Sequence, residues 1–386
     1  MKSIRDIPVL SGIPVLVRAA LNVPIENATV ADDYRLHRAI PTITFLTEHG
    51  ARVILISHIG EAGTETLLPV AKALERWVPR ITFCHETIGP LAREAVWALP
   101  SGGVLVLENL RRHKGEVGND PAFAKELATL ADVFVEDSFD TCHRSHASIV
   151  TLPKLLPAYA GLLLEEEVAA LAAALGPAHP ALAIIGGAKF STKERVLDTL
   201  LVSYDHVFVG GALANDFFKA KGYSIGASLV STAEPTKIAA LLANPRLMLP
   251  EDVLVVPKDA IGQIDTHQRA RVARPDDVRE GEVTLDAGPA TSVALAKLVK
   301  GSRSVLWSGP LGQYENGFID ATDALARAIV ASGARSTLGG GDTVASIQSL
   351  GLIPRFSFVS TGGGAMLDFL AYGSLPGIAA LESGGL

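Results

Sequence analysis

Two stretches of this sequence combine glycine with charge at spacings suited to phosphate chemistry. Gly186-Gly187-Ala188-Lys189-Phe190-Ser191-Thr192-Lys193 sets a glycine pair before two lysines spaced i, i+4, so both ammonium groups reach one face of a helix start. Cations at a helix N-terminus oppose its macrodipole, so an anion beside them would account for them; the plainer reading is two solvated lysines. Gly339-Gly340-Gly341-Asp342-Thr343 is the complement: backbone amides for phosphate oxygens, and a carboxylate able to hold Mg²⁺ directly or through water. Its plainer reading is a capped helix start.

No G-x-x-x-x-G-K-[ST] occurs, nor any Gly-Lys pair, which excludes the P-loop mode. Protein-kinase signatures are absent as well. His113, His143 and His146 lack a cysteine or carboxylate at ligand spacing, so a zinc site is disfavoured. Asp32 and Asp33, just before Arg35, are read as helix caps rather than an acidic catalytic pair.

These residues need a scaffold that brings loops together, and the hydrophobic pattern supplies one. Short β-branched runs alternate with helical patterns: Pro14 to Arg18, Val53 to Ser57, Val104 to Leu107 and Val133 to Glu136, then Leu182 to Ile185, His206 to Val209, Val253 to Val256, Ser304 to Trp307 and Phe356 to Val359. This is the βαβ signature of parallel sheets. Leu162 to Leu175, acidic at its start and rich in Ala and Leu, reads as a connecting helix. The fold expected is α/β, two doubly wound Rossmann-like domains with parallel sheets joined by a hinge helix. The expected division is 1–161, the helix 162–175, a second domain 176–365, and a C-terminal segment 366–386 packing back on the first.

Open α/β sheets bind ligands beyond the carboxyl ends of their strands, and here the two halves differ. The first half places polar and basic residues there: Arg18 and Asn22, Ser57 and His58, Glu108, Asn109 and Arg111, Asp137, His143 and Arg144. These suit a small anion. The second half places glycine: Gly186-Gly187, Gly210-Gly211, Gly309-Pro310, Gly339 to Gly341 and Gly362 to Gly364. Missing side chains let amides and helix N-termini approach phosphates, which points to a nucleotide.

Composition agrees. The chain has 386 residues, 48% hydrophobic and 19% charged, enough for two cores. A net charge of -7 argues against nucleic acid as a general partner. Cys84 and Cys142 stand far apart outside any C-x-x-C spacing, and the N-terminus from Met1 to Gly12 lacks a signal-peptide core, so a cytoplasmic protein is expected. Val168 to Ala188 carries no formal charge, but Gly176, Pro177 and Pro180 break it, so it reads as helix, break and buried strand rather than a membrane span.

From about Arg5 to the C-terminus the sequence resembles the phosphoglycerate kinase family. The resemblance rests on Val15-Leu16-Val17-Arg18 with Leu21-Asn22-Val23-Pro24, Arg35, Ser57-His58-Ile59-Gly60, Leu107-Glu108-Asn109-Leu110-Arg111 and His143 to Ser148. It continues through Gly186-Gly187-Ala188-Lys189, Lys193, Leu285 to Pro289, Trp307-Ser308-Gly309-Pro310, Glu315, Gly339 to Thr343, Ser360 to Ala365 and Leu375-Pro376-Gly377.

The resemblance implies phosphoryl transfer between 1,3-bisphosphoglycerate and MgADP, giving 3-phosphoglycerate and MgATP, with Mg²⁺ as the metal, a monomeric state and domains that hinge together. By resemblance, Arg35 and Lys193 stabilise the transferring group, helped by the Gly340 and Gly341 amides. Leu21, Asn22, His58, Ile59, Gly60, Arg111 and Arg144 belong to the acid site. Lys189, Gly211, Glu315, Asp342 and Thr343 join Lys193 and the glycines in the nucleotide site, with Asp342 on the metal.

The departures concentrate on the acid side. Ala20 stands where the family has an aspartate, Glu61 where it has a phosphate-binding arginine, and Asp140 where it has glycine. Ser308, Ala212 and Phe358 replace an asparagine, a glycine and a histidine. A Glu61 carboxylate about 5 Å from a substrate phosphate would repel it by about 3 kcal/mol per charge pair at an effective dielectric near 20. Three readings follow: the family reaction, a related carboxylate kinase with another acid, or a non-catalytic nucleotide-binding relative.

Overall fold

The computed structural model describes residues 1–231 and 234–384. The first strand, β1 (Pro14–Ala19), shows why the sheets are parallel and covered on both faces. After Pro14 every residue of it is buried, including Arg18. A strand buried on both sides reads as a continuous apolar run rather than an alternation. Its neighbours β2 (Arg52–Ile56) and β5 (Val133–Asp137) share that pattern.

The chain divides into two units: Met1–Ala169 together with Ser374–Leu386, and Ala170–Gly373. In the first, β3 (Ile81–Phe83), β4 (Val104–Val106) and β6 (Ala158–Ala160) complete a parallel six-stranded sheet ordered β3-β4-β2-β1-β5-β6. Helix α1 (Tyr34–Glu48) carries Arg35 in its first turn. Its start is held by Asp32, whose Oδ1 accepts from the Tyr34 amide at 2.9 Å. Asp33, the other expected cap, makes no side-chain capping bond and lies 3.7 Å from His37 instead.

Helix α2 spans Leu162–Leu175, and the division between the units falls within it. Asp137, at the end of β5, accepts from the Leu163 and Leu164 amides at its N-terminus. Burial nevertheless pushes that carboxyl up to about 8.

In the second unit, β7 (Ala181–Ile185), β8 (His206–Val209), β9 (Leu247–Met248), β13 (Ser304–Ser308), β14 (Arg335–Gly339) and β15 (Phe358–Val359) form a parallel sheet ordered β9-β8-β7-β13-β14-β15. Three further strands, β10 (Val253–Pro257), β11 (Arg271–Ala273) and β12 (Glu282–Ala287), pair antiparallel in a separate small sheet. The run from Val253 to Val256 is therefore a strand as expected, but outside the parallel sheet. Val253 and Val255 form a satellite core with Phe218, Ala273 and Val278.

Candidate active site

In the first unit the strand ends converge on cations. Arg18, wholly buried at the end of β1, donates Nε–H to Ser148 Oγ (3.2 Å), Nη1 to Ser57 Oγ (3.3 Å) and Nη2 to His58 Nδ1 (2.9 Å). Ser148 is held by the buried Glu116, which accepts from its amide at 3.0 Å and its hydroxyl at 2.6 Å. Arg18, Ser57, His58, Ser148 and Glu116 thus form one buried polar network. Accepting from a guanidinium requires a neutral imidazole. Burial first, then the charges of Arg18, Arg111, Arg144 and Arg35, hold His58 well below the usual histidine range.

Arg35 donates to the Asn22 carbonyl at 2.6 Å and stands 3.9 Å from Asp140. Asn22 Oδ1 accepts from the Gly60 amide at 3.1 Å, Leu21 donates its amide to Ser57 Oγ, and Ile59 and Ala20 are buried. Leu21, Ala20 and Ile59 therefore shape this wall through backbone and packing. Glu61 does not face its surroundings as an unpaired anion: Oε2 lies 2.9 Å from Arg111 Nη1, and Oε1 lies 3.8 Å from Arg144 Nη2. Glu108 accepts from Thr66, Leu67 and Asn109 and pairs with Arg112, which fixes the following loop.

In the second unit a cavity of about 430 Å³ opens beyond the strand ends. Gly187, Gly211, Pro310, Glu315 and Asp342 line its polar side, and Leu229, Val253 and Leu285 its apolar side. Backbone meets backbone beneath it. A Cβ on Gly186 would overlap the carbonyls of Pro310 and Gly309, and one on Gly211 would stand 2.7 Å from the Gly187 nitrogen. Some of the glycines are thus demanded by chain packing as well as by any ligand.

Lys193, at the N-cap of helix α3 (Glu194–Ser203), lies over this floor, since a Cβ built on Gly187 would come within 3.3 Å of its Nζ. Burial lowers the Lys193 ammonium below its ordinary range, Asp342 opposes that, and Lys189 adds to it. Lys189 is exposed at the start of the same turn. Helix α5 (Gly341–Gln348) starts at the cavity edge, with Gly340 at φ +105° before it. Gly340 is the N-cap, and a Cβ there would come within 3.1 Å of Thr343 Oγ1. Thr343 is buried and accepts from the Gly309 amide at 2.8 Å, so its hydroxyl ties the Gly309-Pro310 turn to α5.

This basic cluster and this cavity lie on a chain that a family model described as phosphoglycerate kinase matches over residues 4–372. The chain belongs to the phosphoglycerate kinase family. It is 41% identical to the phosphoglycerate kinase of Moorella thermoacetica over 95% of both chains, and 42% identical to that of Herpetosiphon aurantiacus over 99% of both. The solved phosphoglycerate kinase structure from Coxiella burnetii matches with a TM-score of 0.83 at 37% identity, covering 98% of each chain. That from Pyrococcus horikoshii gives 0.87 at 28% identity, covering 99% of this chain and 98% of its own.

Two groups matter here beyond the residues to which the resemblance assigns a role. Arg18 was visible as the one charged residue in an apolar strand, a signal of a buried cation with a task. Asp286, buried on the cavity wall, accepts from the Ala287 and Ala321 amides, and burial pushes it up to about 7. Its only sequence signal was its place in Leu285 to Pro289.

Proposed function

We propose that the chain carries out the phosphoryl transfer of its family, between the γ-phosphate of MgATP and the carboxylate of 3-phosphoglycerate, in either direction, as a cytoplasmic monomer. The observation that carries this reading is the pairing of chemistries: a cluster of guanidiniums in one unit, and in the other a glycine-rich cavity with an apolar wall and Lys193 over its floor. Among the described residues no single helix is long and apolar enough to cross a membrane.

A carboxylate nucleophile titrates near 4 and is ionised at pH 7, so the reaction needs no general base. What it needs is alignment and neutralisation of charge on the transferring group. Arg35, placed by the first turn of α1, and Lys193, partly desolvated, are the cations assigned to that task. The α5 amides at Gly340 and Gly341 receive phosphate oxygens, and Lys189 contacts the nucleotide phosphates. Glu315, exposed at the cavity, accepts from the ribose hydroxyls. Asn22, His58, Arg111 and Arg144 hold the acid, with a neutral His58 acting as hydrogen-bond partner and not as a charge.

Asp342 suits Mg²⁺: it is exposed, faces the cavity and supplies one carboxylate, and this metal takes the rest of its shell from water and phosphates. Bound there, the ion supplies positive charge to the phosphate oxygens. The test is steady-state MgATP consumption with 3-phosphoglycerate, coupled to reduction of the acyl phosphate. Turnover is expected, and Lys193→Ala should lower kcat by about 10²- to 10³-fold, the usual loss for one charge-stabilising donor. No turnover at saturating substrates, or a Lys193→Ala variant as active as wild type, would overturn the assignment.

A further inference from the structure

The segment after β2 runs Gly60-Glu61-Ala62-Gly63, and it is stitched down on both sides of Glu61. Asn109 donates Nδ2–H to the carbonyls of Ile59 (2.8 Å) and Glu65 (3.0 Å), and its Oδ1 accepts from the Ile59 amide. Gly63 sits at φ +74°, where a Cβ would overlap the Arg111 carbonyl. The backbone under Glu61 is therefore set against Arg111, and only the side chain is left to move.

That side chain bridges two guanidiniums, one oxygen to each. The cation beneath is buried, with the Arg111 side chain 2% exposed, whereas the Glu61 side chain is 77% exposed. A buried cation covered by an exposed anion is the geometry of a site that also receives anions from water. Further donors remain: among the described residues the Nε atoms of Arg111 and Arg144 are buried without a hydrogen-bond partner. A carboxylate offers two oxygens, but a phosphate monoester offers three to a bidentate donor set.

We propose that Glu61 is a specificity-determining residue that works as a tethered competitor: its carboxylate fills the Arg111–Arg144 fork, and a phosphorylated acid binds by displacing it. This rests on the acid-site reading above and replaces the simple repulsion expected from sequence. When the binding-competent state is only partly populated, apparent affinity falls by that fraction. Displacement returns to water a side chain that already stands mostly in it, and the incoming phosphate takes over the buried Arg111, so that cation is not left unpaired. The effect belongs in KM, since by resemblance the Glu61 position is one that meets the phosphate of the acid and not its carboxylate.

The test is calorimetric binding of sulfate and of 3-phosphoglycerate, at fixed ionic strength, to wild type, Glu61→Gln and Glu61→Ala. Both variants should bind both anions roughly tenfold tighter, with KM for 3-phosphoglycerate falling in step and kcat within about twofold, as expected for relief of a population penalty. Sulfate bound elsewhere is common to all three proteins and cancels in the comparison. Tighter sulfate binding without any binding of 3-phosphoglycerate would keep Glu61 as competitor and sink the substrate reading. Unchanged affinity for sulfate in both variants would overturn the competitor.

Discussion

Arg18 and Asp286 show how burial sets the behaviour of single residues in this chain. Arg18 is kept charged in a dry setting by hydroxyls, a carbonyl and a neutral imidazole, and among the described residues it has no carboxylate at ion-pair distance. Asp286 shows the opposite outcome, a carboxyl whose burial favours the protonated form despite two amide donors. Its folded value of about 7 lies above the unfolded value near 4, so the folded state holds a proton that the unfolded chain lacks between those limits. Its stabilising contribution is full below about pH 4 and is lost as pH rises toward 7. Relative to Asp286→Asn, wild type should therefore lose stability across that window, with a slope approaching 1.4 kcal/mol per pH unit. Urea midpoints of the two proteins at pH 5 and pH 7 check this, because other titrating groups cancel in the difference. A gap that stays constant with pH would mean Asp286 is ionised throughout.

Among the elements, the helix following β12 is held from a distance. Helix α4 (Pro289–Gly301) has Gly288 at its N-cap and no cap from its own side chains. Asp252, just before β10, supplies it: Oδ2 accepts from the Ala290 amide at 3.0 Å, and Oδ1 from the Thr291 amide and hydroxyl at 2.8 Å. The small antiparallel sheet thereby fixes the turn after Asp286 at the cavity wall. Asp252→Ala should cost about 0.5–2 kcal/mol, the usual range for losing an N-cap, visible as a lower urea midpoint at unchanged m-value. A midpoint equal to wild type would show that water replaces the cap.

For the whole molecule, each unit has its own sheet and its own core, but the first unit is completed by the end of the chain. Helix α6 (Gly363–Tyr372) belongs to the second unit, and α7 (Pro376–Ser383) to the first. Gly377 packs so tightly that a Cβ would stand 2.9 Å from Ile149 and 3.0 Å from the Cys142 sulfur, while Leu375, Ile378 and Leu381 are buried. Burying each such side chain contributes about 1.5–3 kcal/mol, so losing the segment removes a large part of a domain's total stability. Truncation after Gly373 should thus abolish 3-phosphoglycerate binding and the first unit's thermal transition, while MgADP still raises the melting temperature of the second. Calorimetry with each ligand separates the two, and loss of the MgADP response would show that the second unit does not fold without the first.

Much of this was legible in residue order. Continuous buried runs mark parallel strands, glycine against cation marks the two kinds of strand end, and enough motif residues survive to point to the family. Other features needed the folded chain. The strands Ile81–Phe83, Ala158–Ala160 and Arg335–Gly339 are short or carry few large apolar residues, and pairing makes them strands more than their own pattern does. Val253–Pro257 reads like any other strand, and only its partners place it in the antiparallel sheet. Glu61 is the sharpest case. Its charge was plain in the sequence, but its seat on Arg111 and Arg144 was not. Residue types and local periodicity are short-range properties of the chain, while the cation an anion meets depends on where separated segments converge.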